Sequence, residues 1–172
     1  VMYANGEGVQ KNDAEAVKWY RLAAAQGDAS AQSNLGVMSA NGEGVAKSDI
    51  EAVKWYLLAA QQGDAVAQYN LGVAYDHGRG VLKNHIEAAK WYRLAADQGY
   101  ANAQFNLGVM YANGEGVPKD NLEAVKWYRR AADQGKTNAQ FNLGLIYANG
   151  QGVPKNDIEA FKWYRMAADQ GD

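Results

Sequence analysis

Small and apolar residues recur along this chain in two alternating patterns, both at helical spacing. In residues 101–136, Ala103, Leu107, Met110 and Tyr111 fall three and four apart and predict a helix, A, over roughly Asn102 to Ala112. In the first copy Ala16, Tyr20, Ala23 and Ala24 do the same and predict a helix, B, over Asp13 to Gln26. At ~1.5 Å per residue it is about 21 Å long. Asn113-Gly114 closes A, because glycine takes the left-handed conformation that a helix end requires. Gly27, Gly63, Gly99, Gly135 and Gly171 close B. Turns from B to the next A, such as Gly27-Asp28, are short enough to force antiparallel neighbours. No stretch alternates with the period of two that marks a strand.

The two patterns form one unit copied along the chain. Trp19, Trp55, Trp91, Trp127 and Trp163 are each 36 residues apart, with no insertion or deletion between them. The copies are a partial repeat, 1–28, and four full ones, 29–64, 65–100, 101–136 and 137–172. A two-helix hairpin cannot bury both of its faces, so copies must stack. The predicted fold class is therefore an all-α solenoid of antiparallel helix pairs, elongated and curved. Val1 to Asn5 matches Val37 to Asn41, so the chain is expected to start inside a repeat and to be a slice of a longer protein. Both ends then lack polar caps, which predicts head-to-tail self-association.

The start of helix B carries the strongest local signal. Asn12, Ser48, Asn84, Asp120 and Asn156 share one register, and Glu15, Glu51, Glu87, Glu123 and Glu159 follow three residues later. This is capping-box spacing: the cap oxygen accepts an orphan N–H, and the Glu is expected to reach back to the cap's own N–H. All 19 glycines fall in four register positions. One of them (Gly36, Gly72, Gly108, Gly144) lies inside helix A, where glycine costs about 1 kcal/mol relative to alanine. Close helix–helix contact is the expected compensation.

Composition narrows the class. Net charge is −2, from 17 basic and 19 acidic residues, which gives no sign of a nucleic-acid or acidic-membrane partner. Without cysteine there is no disulfide framework, thiolate metal site or cysteine nucleophile. No apolar run reaches the roughly 18 residues of a membrane span. The apolar share of 48% rests on Ala, Tyr and Trp more than on Leu, Ile and Phe, which suits thin, closely approaching helix pairs.

Catalytic chemistry has little support. Ser30, Ser33, Ser39 and Ser48 lie in one copy and the histidines, His77 and His85, in the next, with no triad arrangement. Asp76, His77 and His85 could be imagined around a metal, but divergence of a surface loop (Asp76-His77-Gly78-Arg79, against Ala-Asn-Gly-Glu in other copies) is the simpler reading. The recurring Gly-x-Gly-Val-x-Lys fits neither phosphate-loop spacing and reads as turn chemistry. No catalytic residue, metal ligand or cofactor is assigned. Arg93–Asp97, Arg129–Asp133 and Arg165–Asp169 are expected as ion pairs on helix B, and the tryptophans as half-buried between B helices.

The unit A-x-A-Q-[FY]-N-L-G-V-M-Y-A-N-G-E-G-V-P-K-[DN], followed by E-A-V-K-W-Y-R-x-A-A-D-Q-G, resembles the Sel-one-like repeat, a relative of the tetratricopeptide repeat. Ala67 to Gly72, Gly78-x-Gly80-Val81 and Trp91-Tyr92 carry the likeness in the third unit. The resemblance implies a right-handed superhelix with A helices on the concave side. It also implies adaptor or scaffold work, often in bacterial periplasmic, secreted or host-contact proteins. Some family members join A and B by disulfides, which this chain cannot do. Others are labelled as antibiotic-hydrolysing, so a lactam hydrolase is an alternative; a self-assembling or consensus-built array is another.

On helix A the register of Ser30, Ser33, Asn34, Val37 and Asn41 shares one face. Asn34, Asn70, Asn106 and Asn142 form an amide ladder beside an aromatic strip of Tyr69, Phe105 and Phe141. Asn102, Asn138 and His77 flank them. An amide donates and accepts together, which suits an extended peptide or a protein partner. The resemblance gives the four ladder asparagines the role of gripping ligand backbone. Alternatively, the amides bind their own backbone or a neighbouring helix, and the aromatics pack between repeats.

Overall fold

A computed structural model describes residues 2–6, 8 and 10–170 of the protein. The two ends on which self-association was expected to rest, and the stop at Gly171, lie outside the described residues. Every described element is helical. The helices are α1 (Met2–Asn5), α2 (Asp13–Ala25), α3 (Ala29–Asn41), α4 (Asp49–Gln61), α5 (Ala65–His77), α6 (His85–Asp97), α7 (Ala101–Asn113), α8 (Asn121–Asp133), α9 (Thr137–Asn149) and α10 (Asp157–Ala168). The odd-numbered helices are A and the even-numbered B, in two compact units, residues 1–84 and 85–172.

The first unit holds α1 to α5. Asn12 and Ser48 cap α2 and α4, accepting from the N–H groups of Glu15 and Glu51 at 3.1 and 3.2 Å. The second half of the expected box differs. The cap's own N–H donates to helix A of the same repeat: Asn12 to the Tyr3 carbonyl, Ser48 to Ser39 and Asn84 to Tyr75, at 2.8–2.9 Å. With that donor engaged, Glu15 and Glu51 pair instead with Lys18 and Lys54, three residues on. The local signal was right about where B begins, and tertiary structure took over half of its hydrogen bonding. Asp28 and Asp64 cap α3 and α5 through the N–H groups of Ala31 and Ala67, at 2.6 and 2.7 Å.

Small residues make the core. Ala16, Val17, Ala24, Ala31, Leu35 and Met38 form one buried cluster, with Tyr3, Tyr20 and Trp55 against it. The glycine inside α3 has a specific cause: a Cβ at Gly36 would stand 2.4 Å from the ring of Tyr56 on α4. Thus a tyrosine ring, rather than a second helix backbone, fills the space. Loop Gly44 is equally constrained, since its Cβ would meet the Asp13 backbone at 2.4 Å. Each repeat's loop therefore rests directly on the first turn of the preceding B helix.

The second unit, α6 to α10, repeats the plan. Asp120 and Asn156 cap α8 and α10. Their N–H groups donate to the carbonyls of Tyr111 and Tyr147, both at 2.9 Å. Glu87, Glu123 and Glu159 pair with Lys90, Lys126 and Lys162 at 2.6 Å. Gly108 faces Tyr128, and Gly144 faces Tyr164. Two features are its own. Tyr100 and Lys136 stand at the N-caps of α7 and α9 without any side-chain capping bond. Of the expected Arg–Asp pairs, Arg165–Asp169 forms, at 3.8 Å. Arg93 and Arg129 turn instead to the next repeat, donating to the Tyr111 and Tyr147 hydroxyls. Arg93 lies 5.0 Å from the ring centroid of Trp127 and Arg129 lies 6.0 Å from that of Trp163. Those indoles are 4% and 8% exposed, deeper than the half-burial expected of the tryptophans, which Trp55 and Trp91 do show. A guanidinium over an indole gains attraction from the ring face as well as covering it.

Candidate functional site

A helix-A side chain is available to a ligand only if the fold leaves it at least partly exposed and unbonded. The four ladder asparagines divide on this test. Asn34 is exposed but donates its amide to the Ser30 carbonyl of its own helix at 2.8 Å. Asn142 is half-buried and hydrogen-bonds the Tyr128 hydroxyl. Burial pushes the Tyr128 phenol up to about 12, and the Asn142 bond opposes that rise. Asn70 and Asn106 are half-buried, and neither makes a side-chain hydrogen bond among the described residues.

The aromatic strip divides similarly. Phe105 is half-buried and packs on Tyr128, centroid to centroid 5.8 Å. Phe141 is 50% exposed although its ring lies 5.6 Å from that of Tyr164. Tyr69 and Asn102 are half-buried, whereas Asn138 and His77 are exposed. The His77 ring contacts the Val73 carbonyl at 3.1 Å and lies 3.8 Å from Asp76. Among the described residues, no three His, Cys, Asp or Glu side chains are grouped so as to hold a metal ion. In the first unit Tyr69, Asn70 and His77 share α5. In the second, Asn102, Phe105 and Asn106 share α7, with Asn138, Phe141 and Asn142 on α9.

In the first unit α3, α4 and α5 enclose a groove of about 530 Å³. Asn70 and Val73 of α5 face Val37 and Asn41 of α3, with Tyr56 and Asp49 of α4 at the floor and Lys47 and Arg79 at the rim. Burial, then the nearby Asp49 carboxylate, pushes the Tyr56 phenol up to about 12, so it stays a neutral hydroxyl at ordinary pH. The second unit has a counterpart at the same register, lined by Asn113, Lys119, Asn121, Ile146 and Gln151, of about 260 Å³. Smaller side chains accompany the larger groove: Val73 stands at the register of Leu145. Ala74 stands in the first groove where Ile146 stands in the second, and where Met38 and Met110 stand elsewhere.

The sequence reading missed a second ladder. Gln32, Gln68, Gln104 and Gln140 are buried. Each donates its Nε2 to a carbonyl in the last turn of the preceding B helix: Ala24, Ala60, Ala96 and Ala132, at 3.1–3.2 Å. Gln32, Gln104 and Gln140 accept in turn from Gln62, Gln134 and Gln170. Each of these carbonyls also accepts the backbone N–H of the glycine three residues on (Gly27, Gly63, Gly99 and Gly135), so the amides add a second donor there and are themselves closed to ligands. A glutamine in every full copy, on the same face as buried alanine and leucine, was the available signal.

Comparisons with known proteins agree on the architecture. The profile of the family described as Sel1 repeat matches residues 1–28, 29–64, 65–100, 101–136 and 137–172. The structure of c5321, a protective antigen present in uropathogenic Escherichia coli strains and displaying an SLR fold, is 40% identical, with a TM-score of 0.96. The match covers 99% of this chain and 37% of that one, so the present sequence spans little more than a third of that relative. A Sel1 repeat protein from Oxalobacter formigenes is 42% identical, with a TM-score of 0.91, over 99% of this chain and 68% of that one. Cysteine rich protein B of Helicobacter pylori is 25% identical, with a TM-score of 0.58, over 73% and 90%. No curated protein matches the chain. The fold is all-α, of the α/α-repeat solenoid class.

Proposed function

Because the chain belongs to the Sel1 repeat family, whose members generally act as protein-interaction scaffolds, we propose that it binds a peptide or partner protein along the exposed faces of its A helices. The observation that carries this reading is the pair of unbonded, half-buried amides, Asn70 and Asn106. An amide left without a partner on a partly apolar surface gains most from a peptide group, which offers an acceptor and a donor together. The reading is of binding rather than catalysis. The repeated carboxylates, Glu51, Glu123 and Glu159 among them, are paired with lysines.

The test compares Asn70→Ala and Asn106→Ala with Asn142→Ala, using peptides selected from a displayed library on the intact chain. The first two are expected to lose peptide affinity at unchanged melting temperature. Asn142→Ala is expected to lower melting, because Asn142 bonds Tyr128. Loss of melting temperature without loss of binding in Asn70→Ala would assign that amide to the scaffold and refute the reading.

A further inference from the structure

We propose that the groove between α3, α4 and α5 is a pocket for a carboxylate side chain, an Asp or Glu within an extended segment of the partner. This rests on the scaffold reading and sharpens it at one site. Size is the first argument. With Ala74 in place of the Met or Ile of other copies, the groove has about 530 Å³, twice the 260 Å³ of its counterpart. That is room for a side chain and part of its backbone.

Charge is the second argument. Lys11 and Lys155, at the register of Lys47, pair with Asp13 and Asp157 at 3.4 Å. Neither Lys47 nor Arg79 has a carboxylate partner among the described residues. Arg79 stands where Glu43, Glu115 and Gln151 stand in other copies, so the rim has reversed its charge at one repeat. A guanidinium presents a planar fork of donors that fits a carboxylate in two-point fashion. The lining also holds Asp49, which leaves it one net positive charge. That balance suits a monoanionic carboxylate and disfavours a phosphate dianion. Asn70 faces the same space and can hold a flanking peptide group, Asn41 being engaged with the Glu43 carboxylate at 2.9 Å, while Val37 and Val73 meet the apolar atoms of the segment.

The experiment uses an array of C-terminally amidated twelve-residue peptides with one central Glu among random neighbours, matched to copies with Gln at the centre. A third set has Gln at the centre and a free C-terminal carboxylate. The probes are the full chain, Arg79→Glu and Ala74→Met, each checked for unchanged helicity. The expected result is at least a tenfold preference for Glu over Gln in the parent. Arg79→Glu abolishes the preference, and Ala74→Met weakens binding of all Glu peptides. Equal binding of Glu and Gln peptides, or a preference that survives Arg79→Glu, overturns the carboxylate pocket and leaves the scaffold reading intact. Preference for the free C-terminus also overturns it. Failure of every peptide to bind overturns both.

Discussion

The two units build the same module and place their resources on opposite sides of it. In the first, A helices are capped by Asp28 and Asp64, the α3–α4–α5 groove is open, and Trp19 is 57% exposed with Trp55 half-buried. In the second, Tyr100 and Lys136 leave the A helices without side-chain caps, Ile146 narrows the groove, and Trp127 and Trp163 are buried beneath Arg93, Arg129 and Arg130. At the register of Arg93, the second copy has Leu57, and at that of Tyr111 it has Ser39. The Arg–Tyr–Trp stack therefore needs residues that drift between copies, while the Ala, Leu, Gly and Gln frame does not. One backbone plan tolerates a tightly packed helix-B face in one unit and an open groove beside helix A in the other.

The largest expected contrast is between the tryptophans. Trp127→Ala should cost about 3–5 kcal/mol, as loss of a buried aromatic does, and Trp19→Ala no more than about 0.5 kcal/mol. Urea denaturation followed by circular dichroism checks both. Equal losses would erase the distinction drawn between the helix-B faces of the two units. The glutamines should behave alike in both units. Gln32→Leu and Gln140→Leu each remove a buried amide bond to a helix-end carbonyl, which keeps its glycine N–H, and free an exposed second glutamine, at a cost of about 0.5–1.5 kcal/mol. A cost confined to one unit would show that the ladder is not part of the common frame.

Alkaline titration gives a third comparison. Tyr56 and Tyr128 have phenols raised from 10.0 to about 12, chiefly by burial. Below pH ~10 both folded and unfolded chains keep these protons, and stability is unaffected. Between 10 and 12 the unfolded chain ionises first, so stability should fall across that window. Asn142→Ala removes the bond that opposes the rise at Tyr128 and should move that phenol further up, leaving Tyr56 unchanged. Ultraviolet titration of single-tyrosine variants reads this directly. The smallest effect concerns caps. Tyr100→Asp and Lys136→Asp should each add about 0.5–1 kcal/mol, and Asp64→Ala should remove about 1 kcal/mol. Thermal melting that responds to Asp64 but not to new aspartates would mean the second unit's A helices are held by packing alone.

Some features were readable in the residues because their causes are local. The starts of the B helices came from five cap residues at one register, and the cap oxygens indeed accept from Glu15, Glu51, Glu123 and Glu159. The glycine inside helix A announced a close neighbour. Other features depend on which atoms meet across elements. Nothing near Gly36 in the chain points to the Tyr56 ring, and nothing near Asn12 tells that its N–H will bond Tyr3 and release Glu15 to Lys18. For the amide ladder, Asn34, Asn70, Asn106 and Asn142 are indistinguishable in sequence. Their fates differ because Asn34 folds back on Ser30, Asn142 meets Tyr128, and Asn70 borders the space left by Ala74.

The sequence by itself determined the helices, their period and their pairing. Spacing, caps and glycines act within a few residues, and a unit copied five times repeats each instruction. Only the tertiary structure decided which polar groups are satisfied inside and which face outward. That choice depends on which groups meet between helices, as Asn142 meets Tyr128 and Gln62 meets Gln32, and no local pattern encodes it.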